Sequence, residues 1–391
     1  LCIALVAATL GSAWLPTAFA SERRRTATVR LVQAARPAIV NIHGQKTLGP
    51  YEEGYKRGET QNVNGMGTGV VIDERGYILT NHHVVDGVKK IEVTLADRQE
   101  YIATRIAHDH RTDLAIIKIN TSKKLPVINI GTSSDLMPGE PVVAVGNAYG
   151  YEHTVTCGII SALHRSVQVS DSQNYKDLIQ TDASINPGNS GGPLLNIDGE
   201  MIGINVAVRA GAQGIGFAIP VDLAIATAAE LMGAQQSAWH GIVPKATTLA
   251  SAKQCIVGQL DADSPAARCG LKPGDIISRM GDSPVLRALD IERAILGHQP
   301  GEEIAVSVQR DKETVQVKLV LSPSTRRVSE GDRIWDMVGV RLVPAPLTQL
   351  KGYHKQYRGG LMVTDVRPDS PASQEGILRG DILLGMQIYE T

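Results

Sequence analysis

The sequence predicts a mainly β protein, with one large domain of short strands followed by two smaller α+β units of a single fold. Three observations predict it. Short apolar runs alternate with turns rich in Gly, Asn and Asp from about residue 30 to 232. Gly is plentiful, at 39 of 391 residues, and only 4% of residues are aromatic, so the cores must be aliphatic. A pattern spanning 263–277 also returns, with identical spacing, at 369–383.

The chain opens on an apolar run, Leu1 to Trp14, then Leu15-Pro16-Thr17-Ala18-Phe19-Ala20 and a charged Ser21-Glu22-Arg23-Arg24-Arg25. An apolar stretch ending in A-x-A predicts an export signal over 1–20, cleaved after Ala20. It is shorter than the ~20 apolar residues a membrane-spanning helix needs. Export leaves Cys157, Cys255 and Cys269, an odd count that implies at least one free thiol. Cys255 and Cys269 could bridge, but spacing alone does not decide it. No Cys has a metal-ligand spacing, and neither metal nor cofactor is expected.

The large domain, 30–232, carries strands such as Ala38-Ile39-Val40-Asn41-Ile42, Lys90-Ile91-Glu92-Val93-Thr94-Leu95 and Ala115-Ile116-Ile117-Lys118-Ile119. Residues 43–64, polar and rich in Gly, Tyr and Glu, read as a long loop. A helix from Val221 to Met232 closes the domain. The two copies of the repeat define units at 238–323 and 333–391, the second too short for a full copy, joined by a linker from Ser322 to Asp332. A formal net charge of -1 argues against nucleic acid or an anionic membrane as main partner.

The run G-N-S-G-G-P-L around Ser190 suits a serine nucleophile. Gly188 lets the backbone turn, and Gly191 and Gly192 keep side chains out of a substrate's path. The oxyanion donors would be backbone N–H groups of the Gly188-Asn189-Ser190 turn, those of Gly188 and Ser190 foremost. A base and its orienter are also needed. Thr80-Asn81-His82-His83-Val84-Val85 offers two histidines, and Asp113 stands at the mouth of an apolar strand. His, Asp and Ser then occur in the chymotrypsin order.

The T-N-x-H-V-V, T-D-L-A and G-N-S-G-G-P-L motifs together resemble the HtrA/Deg family of trypsin-fold serine proteases. So do Gln180-Thr181-Asp182-Ala183 and Gly214-Ile215-Gly216-Phe217-Ala218-Ile219-Pro220, over nearly the whole mature chain. The resemblance implies a double six-stranded β-barrel followed by two PDZ domains, with His83 as base, His82 at the variable position, and Asp113 and Ser190 completing a triad. Ser184, six before the nucleophile, would floor the specificity pocket, and Ile215, Gly216, Phe217 and Ala218 would wall it. With no carboxylate there, small or medium aliphatic side chains are expected before the cut. Asn189 stands where digestive relatives have an Asp that pairs with a freed N-terminus, so activation by chain cleavage is not expected.

The repeated S-P-A-x-x-x-G signature resembles PDZ domains, which add a peptide as a strand and hold its terminal carboxylate. The loops for that are His240-Gly241-Ile242 and Val338-Gly339-Val340, with Trp239 a loop or packing residue. The resemblance implies ATP-independent cleavage of unfolded or damaged proteins in the periplasm or cell envelope, peptide C-termini as PDZ ligands, and homotrimers or larger assemblies. A chaperone or PDZ scaffold, and a signalling protease with one membrane substrate, are the competing readings.

Overall fold

The computed structural model describes residues 24–48, 61–146, 154–168, 174–206, 214–246, 254–324, 334–335, 337–345, 360–368, 370–386 and 389–390. The expected export signal lies outside them. Helix α1 (Ala27–Ala35) begins at an N-cap, Thr26, whose hydroxyl accepts the Val29 N–H.

Two closed antiparallel barrels follow. The first comprises β1 (Ile39–Leu48), β2 (Gln61–Asp73), β3 (Tyr77–Asn81), β4 (Val88–Thr94), β5 (Glu100–Asp109) and β6 (Leu114–Ile119), in the order β1-β2-β3-β6-β5-β4. One helical turn, α2 (His82–Val85), interrupts it after β3. The second comprises β7 (Pro141–Gly146), β8 (Thr154–Gln168), β9 (Asn174–Thr181), β10 (Pro193–Leu195), β11 (Met201–Val206) and β12 (Gly216–Pro220), in the order β10-β11-β12-β9-β8-β7. Closure leaves no sheet edge in either barrel.

Of the loop expected over 43–64, residues 43–48 and 61–64 are strand, and 49–60 lie outside the described residues. β1 and β2 stay in register out to Lys46↔Val63, Thr47↔Asn62 and Leu48↔Gln61. Polar composition hides such a pairing, because ladder hydrogen bonds come from the backbone whatever the side chains.

Burial explains where the barrels meet their neighbours. Leu114, Ala115, Ile116 and Ile117 of β6 are all fully buried, so this strand is covered on both faces. One cover is α3 (Val221–Ala234), whose Ala224, Ala228, Ala229 and Gly233 present a small-residue face. Asp222 in its first turn suits the helix dipole and accepts from the Ser133 N–H and hydroxyl, each at 3.0 Å.

The first small unit contains β13 (Ala238–Trp239), β14 (Ile242–Pro244), β15 (Cys255–Leu260), α4 (Pro265–Arg268), β16 (Ile276–Met280), β17 (Ser283–Pro284), α5 (Ala288–Ile295), β18 (Glu303–Arg310), β19 (Glu313–Val320) and β20 (Ser322–Pro323). Its sheet runs β14-β15-β16-β18-β19. β13 pairs with β20, Ala238 opposite Pro323, so the start of the expected linker is the closing strand of this unit. In the second unit β21 (Val340–Pro344), β22 (Leu361–Val366) and β23 (Ile382–Leu383) form one sheet, with α6 (Pro371–Gln374) before β23. Cys157, Cys255 and Cys269 are free thiols, and burial pushes the Cys255 thiol up to about 12.

The repeated motif has a structural job. Ser264 and Ser370 cap α4 and α6 by accepting the N–H of Ala267 and Ser373. Each Ser Cβ also fills the space over a glycine with positive φ, Gly241 at 76° and Gly339 at 84°, where an added Cβ would lie 2.1 Å from it. The next-but-one N–H, of Ala266 or Ala372, holds the carbonyl of His240 or Val338 at 3.0 Å. One signature thus folds the same loop twice.

Helix α5 ties the first unit to the first barrel. The buried Asp73 carboxylate accepts from Arg75 at 2.7 and 2.8 Å and from Arg293 of α5 at 3.0 Å. Arg287 donates to the Ile130 and Gly131 carbonyls at 2.8 and 2.9 Å.

Candidate active site

Strand pairing brings two of the sequence-selected residues together. Asn81 ends β3 opposite Leu114 at the start of β6. The residues beyond those ends, His83 on α2 and Asp113, therefore face each other. Asp113 has φ 55°, a left-handed conformation that Asp tolerates better than most residues. Its carbonyl accepts the His82 N–H at 3.0 Å and the Asn81 side-chain amide at 2.9 Å, which fixes α2.

The Asp113 side chain, with the residue 3% exposed, holds His83 twice. Oδ2 is 2.7 Å from His83 Nδ1, and Oδ1 accepts the His83 backbone N–H at 2.9 Å. The side chain of His83 is 44% exposed. Burial pushes the Asp113 carboxyl up, but the His83 charge, the His83 hydrogen bonds and that of Tyr175 outweigh it and hold it below the usual range. Asp113 is therefore ionised at neutral pH and orients the imidazole through Nδ1.

Tyr175 is a residue that sequence reasoning missed. It lies on β9 of the second barrel, 7% exposed, and its hydroxyl donates to Asp113 Oδ2 at 2.8 Å. Burial, then the Asp113 charge, keeps that hydroxyl protonated. The run Asn174-Tyr175-Lys176-Asp177 reads only as a strand, so no local signal points to it.

The Ser190 turn comes from the second barrel and docks on the first. The Ser190 carbonyl accepts the Thr68 N–H at 2.9 Å, and the Gly188 carbonyl accepts the Thr68 hydroxyl at 2.7 Å. Gly191, at φ 82°, has no room for a side chain, since a Cβ would lie 2.1 Å from the Thr68 carbonyl and 2.3 Å from Thr80 Oγ1. The turn thus presses on the end of β3, just before α2 and His83. The Asn189 carbonyl accepts the Gly192 N–H at 3.0 Å, which fixes the peptide plane that carries the Ser190 N–H. Asn189 itself is corrected as an oxyanion donor, because its N–H is spent on the Asn186 carbonyl at 2.9 Å.

Ser184 is exposed, and its carbonyl takes the Thr156 hydroxyl at 3.0 Å and the Asn189 side-chain amide at 3.4 Å. Gly216 abuts this loop, where a Cβ would meet Ile185 at 2.5 Å. Strand alternation separates the other predicted wall residues. Ala218 shares the Gly216 face but is wholly buried among Ile179 and Ala183, while Phe217 packs from the opposite face against the larger core. Ile215 is exposed. Side chains of Phe217 and Ala218 therefore cannot both wall one pocket with Gly216.

His82 points the other way from His83. It is buried, stacked on His108 with ring centroids 4.4 Å apart and edge-on to His110 at 5.7 Å. Burial first, then the His108 and Arg341 charges, hold its pKa well below 6.5. A histidine kept neutral in the fold costs stability once the unfolded chain takes up protons. That stability is complete above about pH 6.5 and is lost as pH falls below it, at up to about 1.4 kcal/mol per pH unit. Melting temperature should therefore drop from pH 7 to pH 5, and less steeply in His82→Asn protein.

In the first small unit the loop Trp239-His240-Gly241-Ile242 leads into β14, and α5 lies across a cleft from it. Helix α3 forms a third wall through Leu223 and Ala226. The side chain of His240 is turned inward from this loop. It is 2% exposed, with Nε2 3.0 Å from Glu292 of α5 and Nδ1 accepting the Ile242 N–H at 2.8 Å. Trp239 pairs with Ser322 in the closing ribbon. In the second unit Val338 is half-buried, and Gly339 and Val340 are buried at the same places in the loop.

Residues 67–204 match the trypsin-like peptidase domain, and 230–321 match the PDZ domain. The probable periplasmic serine endoprotease DegP-like of Hahella chejuensis is 34% identical over 394 residues, which is 90% of this chain and 83% of that protein. The periplasmic serine endoprotease DegP of Escherichia coli K12 is 34% identical over 346 residues, 84% of this chain and 70% of that one. Among solved structures, the HtrA-type protease AlgW with decapeptide is 34% identical, covers 76% of this chain and 99% of its own, and superposes with a TM-score of 0.46.

Proposed function

Because this chain belongs to the DegP-like family of periplasmic serine endoproteases, we propose that Ser190 is its nucleophile, His83 the general base and Asp113 the group that orients that base. The chain is a serine endopeptidase with a trypsin-like double barrel and PDZ domains. One observation carries the residue assignment. His83 is gripped by Asp113 at 2.7 and 2.9 Å on one barrel, while the Ser190 turn of the other presses on the strand leading to it.

In this reading, with Nδ1–H held by Asp113, His83 Nε2 takes the Ser190 hydroxyl proton as Oγ attacks the scissile carbonyl. The negative oxygen is received by the N–H groups of Gly188 and Ser190. His83 then gives its proton to the leaving amine, and an acyl-enzyme on Ser190 remains. Water, deprotonated by the same imidazole, hydrolyses that ester and frees the carboxylate product.

The substrates in this reading are extended segments of unfolded or damaged proteins in the periplasm, and the PDZ domains hold peptide C-termini. The periplasmic names of the relatives support the location. Assembly as a homotrimer or larger belongs to the same reading and rests on family membership alone. The uncharged Ser184 and the small Gly216 support a preference for small or medium aliphatic side chains before the cut. Mass-spectrometric mapping of cuts in reduced, unfolded casein should find Val, Ile, Ala or Leu before most of them. A dominant Lys or Arg there would contradict the pocket.

A further inference from the structure

The two copies of the repeat fold the same loop with one difference in chemistry. In both, a Ser caps the short helix and fills the space over the loop glycine. In both, a helix N–H holds the carbonyl of the residue before that glycine at 3.0 Å. In both, the glycine carbonyl takes the N–H of a residue after the second strand, Asp261 at 2.9 Å and Arg367 at 2.7 Å. The residue before the glycine is Val338 in the second copy and His240 in the first. The loop backbone therefore needs no imidazole.

His240 does something that a valine cannot. Its Nδ1 accepts the backbone N–H of Ile242 at 2.8 Å, so Nδ1 carries no proton. Its other nitrogen, Nε2, donates to Glu292 Oε1 at 3.0 Å, and Glu292 is fixed from behind by Gln236 at 2.9 Å. The ring is thus held as the neutral Nε2–H tautomer, with its lone pair on a backbone amide at the start of β14. That amide belongs to the loop that, in the reading above, receives a peptide's terminal carboxylate.

We propose that His240 is a proton-operated cap on the carboxylate site of the first PDZ domain, and that this domain takes up peptide C-termini when the imidazole is protonated. The inference rests on the reading that this domain binds C-terminal carboxylates. A proton on Nδ1 sets two donors head to head, and the Ile242 N–H is given up. Both the amide and the new Nδ1–H then face the site as donors. The bond from a charged imidazole to a carboxylate is a charge-assisted one, stronger than a neutral pair.

The surroundings favour this. Glu292 on α5 stays against Nε2 and balances the cation. Among the described residues, the other charged groups on the cleft are Asp222 and Glu230 of α3, Arg287 at the start of α5 and Lys245 after β14. Asp222 is committed to Thr132 and Ser133, and Arg287 to the Ile130 and Gly131 carbonyls. Neither of these two is bonded to the imidazole. The second unit, with Val338, has no such cap.

The test uses the full chain as Ser190→Ala, so that the probe is not cut. The probe is an N-acetylated octapeptide of Ala and Val with a free C-terminus, with its C-terminal amide as the control. Calorimetric titration is run at pH 7.5 and 5.5, on either side of the range in which imidazoles take up protons. The free acid should bind about tenfold tighter at pH 5.5. His240→Val should bind equally at both pH values, and so should His240→Gln, which keeps a hydrogen-bonding group but cannot titrate. Equal affinity of the parent protein at both pH values overturns the proposal, as does acid enhancement that survives both variants. A free acid that binds no better than its amide at either pH overturns the C-terminal reading itself, and the cap with it.

Discussion

Replacing Ser190 by Ala is expected to lower casein hydrolysis by about a million-fold, the loss seen when a triad nucleophile is removed. The barrels should be untouched. The Ser190 carbonyl, not its side chain, accepts the Thr68 N–H, and the Gly188 carbonyl accepts the Thr68 hydroxyl. These contacts survive the change, so Ser190→Ala protein should melt at nearly the parent temperature. Residual turnover then measures what the oxyanion donors and binding achieve without a nucleophile. Equal digestion by parent and variant would remove Ser190 from the chemistry. His83→Ala should fall as far, because the serine then has no base, while His82→Ala should retain turnover.

Asp113→Asn should cost about 10,000-fold in kcat, as in other enzymes that use this triad. The reason lies in the lone pairs. Asp113 Oδ2 faces two donors, the His83 Nδ1–H at 2.7 Å and the Tyr175 hydroxyl at 2.8 Å, and Oδ1 faces the His83 N–H at 2.9 Å. An amide has one oxygen and one NH₂ group. Whichever way it sits, a donor meets a donor. With Oδ1 kept on the backbone, the NH₂ turns toward Nδ1, the imidazole takes its proton on Nε2, and Nε2 can no longer accept from Ser190. KM should change little, since no substrate contact is lost. Tyr175→Phe is the graded counterpart. It removes one donor and keeps the shape, so kcat should fall about tenfold, the order of one hydrogen bond to a charged group, at unchanged KM. A purely structural role would leave kcat alone and lower only the melting temperature.

The residues proposed as nucleophile, base and orienter stood out because each sits in a run with a marked local geometry. Gly191 has to be glycine, and Asp113 has to bear a left-handed backbone. Tyr175 was not legible. It acts through one oxygen on a carboxylate 62 positions away in the other barrel. The partner of His240 was not legible for a related reason: only the packing of α5 brings Glu292, 52 positions away, to its ring.

The mainly β class followed from apolar runs and turns and the double barrel from the family resemblance, yet the β1–β2 ladder extends into a polar stretch, because its pairing is carried by the backbone. The pocket walls needed the strand phase. Once β12 is in register with β9, Gly216 and Phe217 must face opposite ways, whatever a run of neighbours suggests.

The most direct test of the central claim is chemical labelling of the nucleophile. The full chain is treated with diisopropyl fluorophosphate, and the site of modification is mapped by mass spectrometry. A single adduct on Ser190, abolished in His83→Ala and kept in His82→Ala, is the predicted result. An adduct on another residue, or labelling of Ser190 that does not depend on His83, would contradict the triad.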